Sequence, residues 1–232
     1  MSKILIKFPT RNRPDKFKKV LEKTIQFLSG NNPVRFVITM DEDDDTMNNK
    51  KMKSYLKRVR KNGTDLVYHY GNSKTKVEAC NANLEGEEAD IVILLSDDMV
   101  PCLEGFDELI VEGMRENFPN NDGAIKFHDG LRNQNDLLMT LPVIGWKLYE
   151  AMGYLYHPSY TSIFCDNEMT HVCMMLNKLA VSPVCIFRHE WTSQPFDELH
   201  ARNENAEMYR IDGAIFEGRK ANNFDVHKFS LT

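Results

Sequence analysis

Positive charge is not in excess in this 232-residue chain: 29 Lys and Arg stand against 34 Asp and Glu, a formal charge of −5. Without a basic surplus there is no sequence-independent pull toward nucleic-acid phosphates. Long apolar runs are also missing. No stretch could span a bilayer, and the apolar segment within Met1-Ser2-Lys3-Ile4-Leu5-Ile6-Lys7 is too short for a signal peptide. The five cysteines, Cys80, Cys102, Cys165, Cys173 and Cys185, are odd in number and include no Cys-x-x-Cys pair. That speaks against a disulfide framework and against a zinc knuckle, so the expected location is the reducing cytoplasm. Neither a G-x-x-x-x-G-K-S/T phosphate loop nor a G-x-G-x-x-G fingerprint occurs, which disfavours an NTPase or a Rossmann dehydrogenase. Repeats, low-complexity linkers and coiled-coil heptads are absent too.

What is present is an ordinary globular composition, 42% hydrophobic and 27% charged, with no shift that marks a domain boundary. The first half alternates strand and helix signals. Ile4-Leu5-Ile6 is a short strand, followed by the loop Phe8-Pro9-Thr10-Arg11-Asn12-Arg13-Pro14. Phe17, Val20, Leu21, Ile25 and Leu28 then recur at helical spacing until Gly30. Phe36 to Met40 is the second strand, running into Asp41-Glu42-Asp43-Asp44-Asp45, after which Thr46 is placed to cap a helix ending near Asn62-Gly63. Leu66 to Tyr70 is the third strand, Lys76 to Leu84 a helix closing near Gly86, and Ile91 to Leu95 a fully apolar strand of the kind buried on both faces. Such alternation predicts an α/β fold, a Rossmann-like, mostly parallel central sheet flanked by helices in a single domain.

The second half is less regular. Ala124 to His128 and Val184 to Phe187 read as strands, Trp146 to Met152 and Asn167 to Leu179 as helices, and Gln194 to Arg210 as a mobile or acceptor-facing segment.

Ligands of open α/β sheets sit beyond the carboxyl ends of the strands, so the residues following each strand carry the functional argument. After the fourth come Ser96-Asp97-Asp98. Adjacent carboxylates beside a buried strand repel unless a cation joins them, and oxygen ligands suit Mg²⁺ or Mn²⁺ bound together with substrate phosphates. A solvated turn before Val100-Pro101 would be the simpler account of an isolated pair. This pair is accompanied by Asp41, which also ends a strand and is placed to accept hydrogen bonds from a ribose or a base. Asp43, Asp44 and Asp45 read as a solvated acidic loop leading to a helix N-terminus. The run lacks the glycine and final glutamate of an EF-hand.

The ordered series of Phe8-Pro9-Thr10-Arg11-Asn12-Arg13-Pro14, the strand ending at Asp41, Lys76-Val77-Glu78-Ala79-Cys80-Asn81 and Ile93-Leu94-Leu95-Ser96-Asp97-Asp98-Met99-Val100-Pro101 resembles the family 2 nucleotide-sugar glycosyltransferases of GT-A fold. The resemblance runs from about Lys3 to Trp191. It implies Thr10, Arg11 and Asp41 as contacts to the base and ribose, with Lys76 near the donor. Ser96-Asp97-Asp98 stands where the family has Asp-x-Asp, which implies the metal on Asp98 and a ribose or outer-shell role for Asp97. Cys165-Asp166-Asn167-Glu168-Met169-Thr170 is similar to the family's helix carrying the catalytic base, implying Asp166 in that role with Glu168 as second choice. Residues two apart on a helix point to different sides, and Asp166 as a plain N-cap is the competing account. Arg188-His189-Glu190-Trp191 is similar to the late histidine that completes the metal shell, and an imidazole ligand inclines the choice toward Mn²⁺. The other six histidines read as packing or surface residues, and Trp146 and Trp191 as either pocket or core.

The implied organisation is a nucleotide-sugar-binding half over 1–101, an acceptor and catalytic half over 102–192, and an extension over 193–232. The implied activity is metal-dependent transfer of a hexose or pentose, with inversion, from a nucleoside-diphosphate donor. The acceptor is unspecified: a glycan, a protein, a small molecule or modified nucleic acid. Two other readings remain at this point: a two-metal nuclease or phosphohydrolase built on Asp41, Asp97 and Asp98, and a non-catalytic relative that binds nucleotide or glycan.

Overall fold

The computed structural model describes residues 1–191 and 197–231. A seven-stranded sheet forms the centre, in the order β3-β2-β1-β4-β7-β6-β8. Its parallel half comprises β1 (Ile4–Pro9), β2 (Val34–Asp41), β3 (Asp65–Gly71) and β4 (Ile91–Leu94). β7 (Val143–Gly145) runs antiparallel between β4 and β6 (Ala124–Phe127), and β8 (Leu179–Ser182) is parallel to β6. The expected α/β class with a mostly parallel sheet in a single domain is therefore found.

Side chains alternate across β1 as a two-residue period requires. Ile4, Ile6 and Phe8 enter one apolar layer with helix α1 (Pro14–Phe27) and helix α2 (Lys50–Lys61), whereas Leu5 enters the opposite layer. The Phe8 and Phe17 rings meet edge to face at 5.0 Å and fasten β1 to α1, a contact worth ~0.5–1.5 kcal/mol beyond its burial. The opposite layer is built from α3 (Lys76–Asn81), α5 (Trp146–Met152), α6 (Cys165–Met175) and α8 (Ala206–Ala221).

A separate two-stranded ribbon pairs β5 (Met99–Pro101) with β9 (Phe187–His189), antiparallel and in the register Met99↔His189. Helix α4 (Phe106–Asn117) follows β5, and the short α7 (Glu198–Asn203) precedes α8.

Several element boundaries differ from the sequence expectation. Thr46 caps no helix: its hydroxyl donates to Asp44 Oδ1 at 2.6 Å, and Asn49 caps α2 by accepting from the Met52 N–H. The helix expected to reach Leu84 stops at Asn81, because Ala82 is extended and Asn83 takes a positive φ of 62°. The helix expected over Asn167–Leu179 begins at Cys165 and ends at Met175; Asn177 turns the chain at φ 55° and Leu179 opens β8. Val184, expected in a strand, lies between β8 and β9 and is 39% exposed. Of the segment expected to be irregular over Gln194 to Arg210, 194–196 lie outside the described residues, while the rest holds α7 and the start of α8.

Candidate active site

The carboxyl ends of β1, β2 and β4 open into a cleft of about 370 Å³, within the range of small-molecule sites. The start of α3, the start of α6, the β5–β9 ribbon and α7 complete its walls.

On the β1–β2 side, Arg11 Nη1 donates to Asp41 Oδ2 at 2.8 Å and also pairs with the exposed Asp43. Asp41 is 6% exposed, yet its Oδ1 has no partner among the described residues, and neither has Arg11 Nε. A buried carboxylate oxygen without a donor is costly, so this edge is preset to receive an N–H or O–H. Asp44, expected to be solvated, is buried instead. It accepts from the Asn12 backbone N–H at 2.7 Å and from the Thr46 N–H at 3.0 Å, and so fixes the β1 loop against the β2 loop.

Asp97 is buried. Its Oδ1 accepts from Arg13 Nη1 at 2.7 Å, and Thr10 Oγ1 donates to its Oδ2 at 3.3 Å. Burial pushes the Asp97 carboxyl up to about 6; the Arg13 charge opposes this and neighbouring Asp98 adds to it. In the sequence Arg13 has no role beyond its place in the loop after β1. It also reaches α7, donating from Nε and Nη2 to Asp197 at 2.8 Å each and contacting His200.

Asp98 sits one residue before β5, and the ribbon register places His189 beside it from 91 positions later in the chain (189 − 98). Asp98 Oδ2 and His189 Nε2 are 3.7 Å apart, the Ser96 hydroxyl donates to Asp98 Oδ1, and His189 Nδ1 is buried without a partner among the described residues. Burial disfavours ionising Asp98, but the facing His189 imidazole and the Ser96 hydroxyl hold its carboxyl well below the usual carboxylate range. Bonds of ~2.0–2.2 Å to a shared ion let neighbouring ligand atoms lie up to ~4 Å apart, so one oxygen and one nitrogen at this spacing fit a divalent cation. Among the described residues no group of three His, Cys, Asp or Glu side chains gathers for a metal. The remaining ligands would be water and substrate oxygens, the usual arrangement for Mg²⁺.

Across the cleft, α6 begins after Phe164, whose φ of 61° turns the chain inward. Phe164 occupies the N-cap position, so Asp166 is a first-turn residue and not the cap. Asp166 is half-buried and lines the cleft with Asn167. Glu168 points the other way. It is 2% exposed, paired with Arg219 Nε at 2.7 Å, and accepts from the Tyr160 hydroxyl at 2.7 Å. A second tie comes from α8: the fully buried Asp212 accepts backbone N–H groups from Thr161, Ser162 and Ile163 at 2.8–3.0 Å. Together Asp212 and Arg219 fix the loop and helix that present Asp166.

The structure thus brings Thr10, Arg11, Asp41, Lys76, Asp97, Asp98, Asp166 and His189 to one cleft and leaves Glu168 outside it. Lys76 opens α3 behind the Thr75 cap, with its side chain exposed. Trp191 lines the cleft; Trp146 is core, its ring 4.7 Å from that of Tyr149. His200, expected as packing or surface, lines the cleft beside Arg13, and Arg202 and Thr140 join the lining from parts of the chain without a recognisable motif.

No protein-family model matches the sequence, and no curated protein matches it. Solved structures do. S. aureus TarS 1-349 in complex with UDP-GlcNAc superposes with a TM-score of 0.66 at 12% identity, over 92% of this chain and 65% of that one. The mannosyltransferase PcManGT from Pyrobaculum calidifontis, in complex with GDP-Man and Mn²⁺, gives 0.63 at 14% identity, over 98% and 72%. Glucosyl-3-phosphoglycerate synthase from Mycobacterium tuberculosis, with Mn²⁺, UDP-Glc and phosphoglyceric acid, gives 0.60 at 14%, over 95% and 80%. The chain spans 60–65% of the length of the TarS 1-349 chains. These likenesses establish the GT-A fold.

Proposed function

We propose that the chain is a glycosyltransferase that moves a sugar from a nucleoside-diphosphate donor to an acceptor hydroxyl, with a divalent cation and with inversion at the anomeric carbon. The observation that carries this reading is the meeting of Asp98 and His189 across the β5–β9 ribbon, in the same cleft as the unpartnered Asp41 oxygen and Asp166. The fold neighbours with bound UDP-GlcNAc, GDP-Man and UDP-Glc support a nucleotide-sugar donor, and those with Mn²⁺ support the cation.

In this mechanism Asp41, braced by Arg11, accepts hydrogen bonds from the base or ribose. Asp97, held between Thr10 and Arg13, shapes the floor beneath the ribose. Lys76 offers positive charge near the donor. Asp98 and His189 would hold Mn²⁺ or Mg²⁺, and the cation would supply positive charge toward the departing diphosphate. Asp166 takes the proton of the acceptor hydroxyl as its oxygen bonds to the anomeric carbon on the face opposite the breaking C–O bond of the leaving diphosphate, and that in-line displacement inverts the centre. A two-metal phosphohydrolase is disfavoured because two of its three carboxylates are committed to arginines, Asp41 to Arg11 and Asp97 to Arg13. Among the described residues no helix is long and apolar enough to cross a membrane.

The test is release of nucleoside diphosphate from a panel of nucleotide sugars, with Mn²⁺ and with chelator. Turnover is expected only with the metal, and Asp98→Ala is expected to abolish it while circular dichroism stays unchanged. Chelator-insensitive turnover would remove the metal assignment. A product of retained configuration by NMR would remove Asp166 as a simple base.

A further inference from the structure

Two thiols lie outside the cleft, at the far end of the ribbon that carries Asp98 and His189. Cys102 continues β5 by one residue, its backbone N–H donating to the Ile186 carbonyl at 2.9 Å. Cys185 precedes Ile186, and the two sulfur atoms are 3.5 Å apart. The Cys102 thiol also donates to the Cys185 carbonyl at 3.1 Å. Cys102 is exposed and Cys185 half-buried, whereas Cys80, Cys165 and Cys173 are buried. Behind Cys185 stands Gly130 at φ 72°, where a β-carbon would come within 3.3 Å of Cys185 Sγ and 3.2 Å of Arg188 Cγ. The glycine thus packs the chain closely against the side of Cys185, and the paired backbone holds the two thiols together.

Two free thiols in contact, one of them open to solvent, have a definite chemistry. A disulfide needs its sulfurs at ~2.05 Å, an approach of ~1.5 Å from where the two sulfurs stand. We propose that Cys102 and Cys185 are a redox-active dithiol, which a small-molecule disulfide of the glutathione class converts into an intramolecular disulfide across β5 and β9. The Cys102 thiolate attacks one sulfur of the small disulfide, forming a mixed disulfide and releasing one thiol. The Cys185 thiol, giving up its proton to water as it attacks, then bonds to the Cys102 sulfur and expels the second. The two protein thiols are oxidised by two electrons, and the small disulfide is reduced to two thiols that carry off the two protons.

Exposure sets the order of attack. Burial, with the hydrogen bond to Cys102, pushes the Cys185 thiol up to about 12, so it stays protonated while Cys102 reacts first. The new bond would lie four residues after Asp98 and four before His189 (102 − 98 and 189 − 185), bracing the strand pair that sets those two side chains together.

The experiment equilibrates the native chain with oxidised glutathione, traps remaining thiols by alkylation, and reads intact mass and a peptide map. Two of the five thiols are expected to disappear, with a Cys102–Cys185 linked peptide, no retained glutathione, and full recovery on adding dithiothreitol. Cys185→Ser is expected to keep a glutathione adduct on Cys102, and Cys102→Ser to lose no thiol. A persistent glutathione adduct on Cys102 in the native chain, a link from Cys102 to any other cysteine or to a second chain, or no thiol loss would overturn the proposal. None of these readouts depends on transferase activity.

Discussion

Lys7 is the most demanding residue of the sheet. It lies in the middle of β1, paired with Val37 on one side and Leu94 on the other, and is fully buried. Its Nζ donates to the Thr39 hydroxyl, which in turn donates to Asn83 Oδ1 at 2.8 Å; no carboxylate among the described residues pairs with it. Burial lowers the Lys7 ammonium from 10.5 to about 7. Between those values the folded chain binds fewer protons than the unfolded one, so stability must rise with pH across the window. At ~1.4 kcal/mol per pH unit, flattening near the folded value, the gain from pH 7 to 9 is about 2 kcal/mol. Replacing Lys7 by Met keeps the length of the stem and removes the charge. His69, whose pKa is lowered by burial first and by the Lys7 charge second, stays neutral over this range and contributes little to the difference. Urea unfolding of both proteins at pH 7 and pH 9 is the assay. The wild type is expected to gain about 2 kcal/mol on Lys7→Met between the two conditions, since every other titration is common to both. A stability difference that does not change with pH would refute the reasoning, because it would mean that Lys7 is solvated or paired in its charged form.

Two further outcomes follow from the α6 contacts. Arg219→Met leaves Glu168 buried with only the Tyr160 hydroxyl, and unfolding should show a loss of ~3–5 kcal/mol; restored stability in the double substitution with Glu168→Gln would confirm that the unpaired charge is the cause. Asp166→Asn should lower kcat by ~10²–10⁴-fold while the KM for donor changes little, and a variant that instead raised the donor KM at constant kcat would move Asp166 into the donor site.

The parts of the fold that could be read from the sequence are those whose signal is local. The parallel strands announce themselves by buried apolar runs such as Ile91 to Leu94, and the residues that follow them, Thr10, Asp41 and Asp98, reach the cleft because strand ends converge there. β7 has no sequence signal because three residues, Val143 to Gly145, are too few to show a period. Thr46 lost its capping role because Asp44 engages its hydroxyl, a choice made by the buried loop and not by local propensity. Glu168 and Asp166 could not be told apart without Arg219, 51 residues further on (219 − 168), and Arg13 gains its importance from contacts with Asp97, Asp197 and His200, 84 to 187 positions away.

The grip of α8 on the Asp166 loop also orders the molecule in time. During synthesis the strands that would bind the donor emerge and can pair early, since chains fold from the N-terminal side as they lengthen. Asp212 and Arg219 are translated after the 161–163 loop and the Glu168 that they hold. A ribosome stalled before α8 would therefore display the strand-end cleft with its opposite wall still loose; on the proposed function, such a chain would bind donor before it could activate an acceptor.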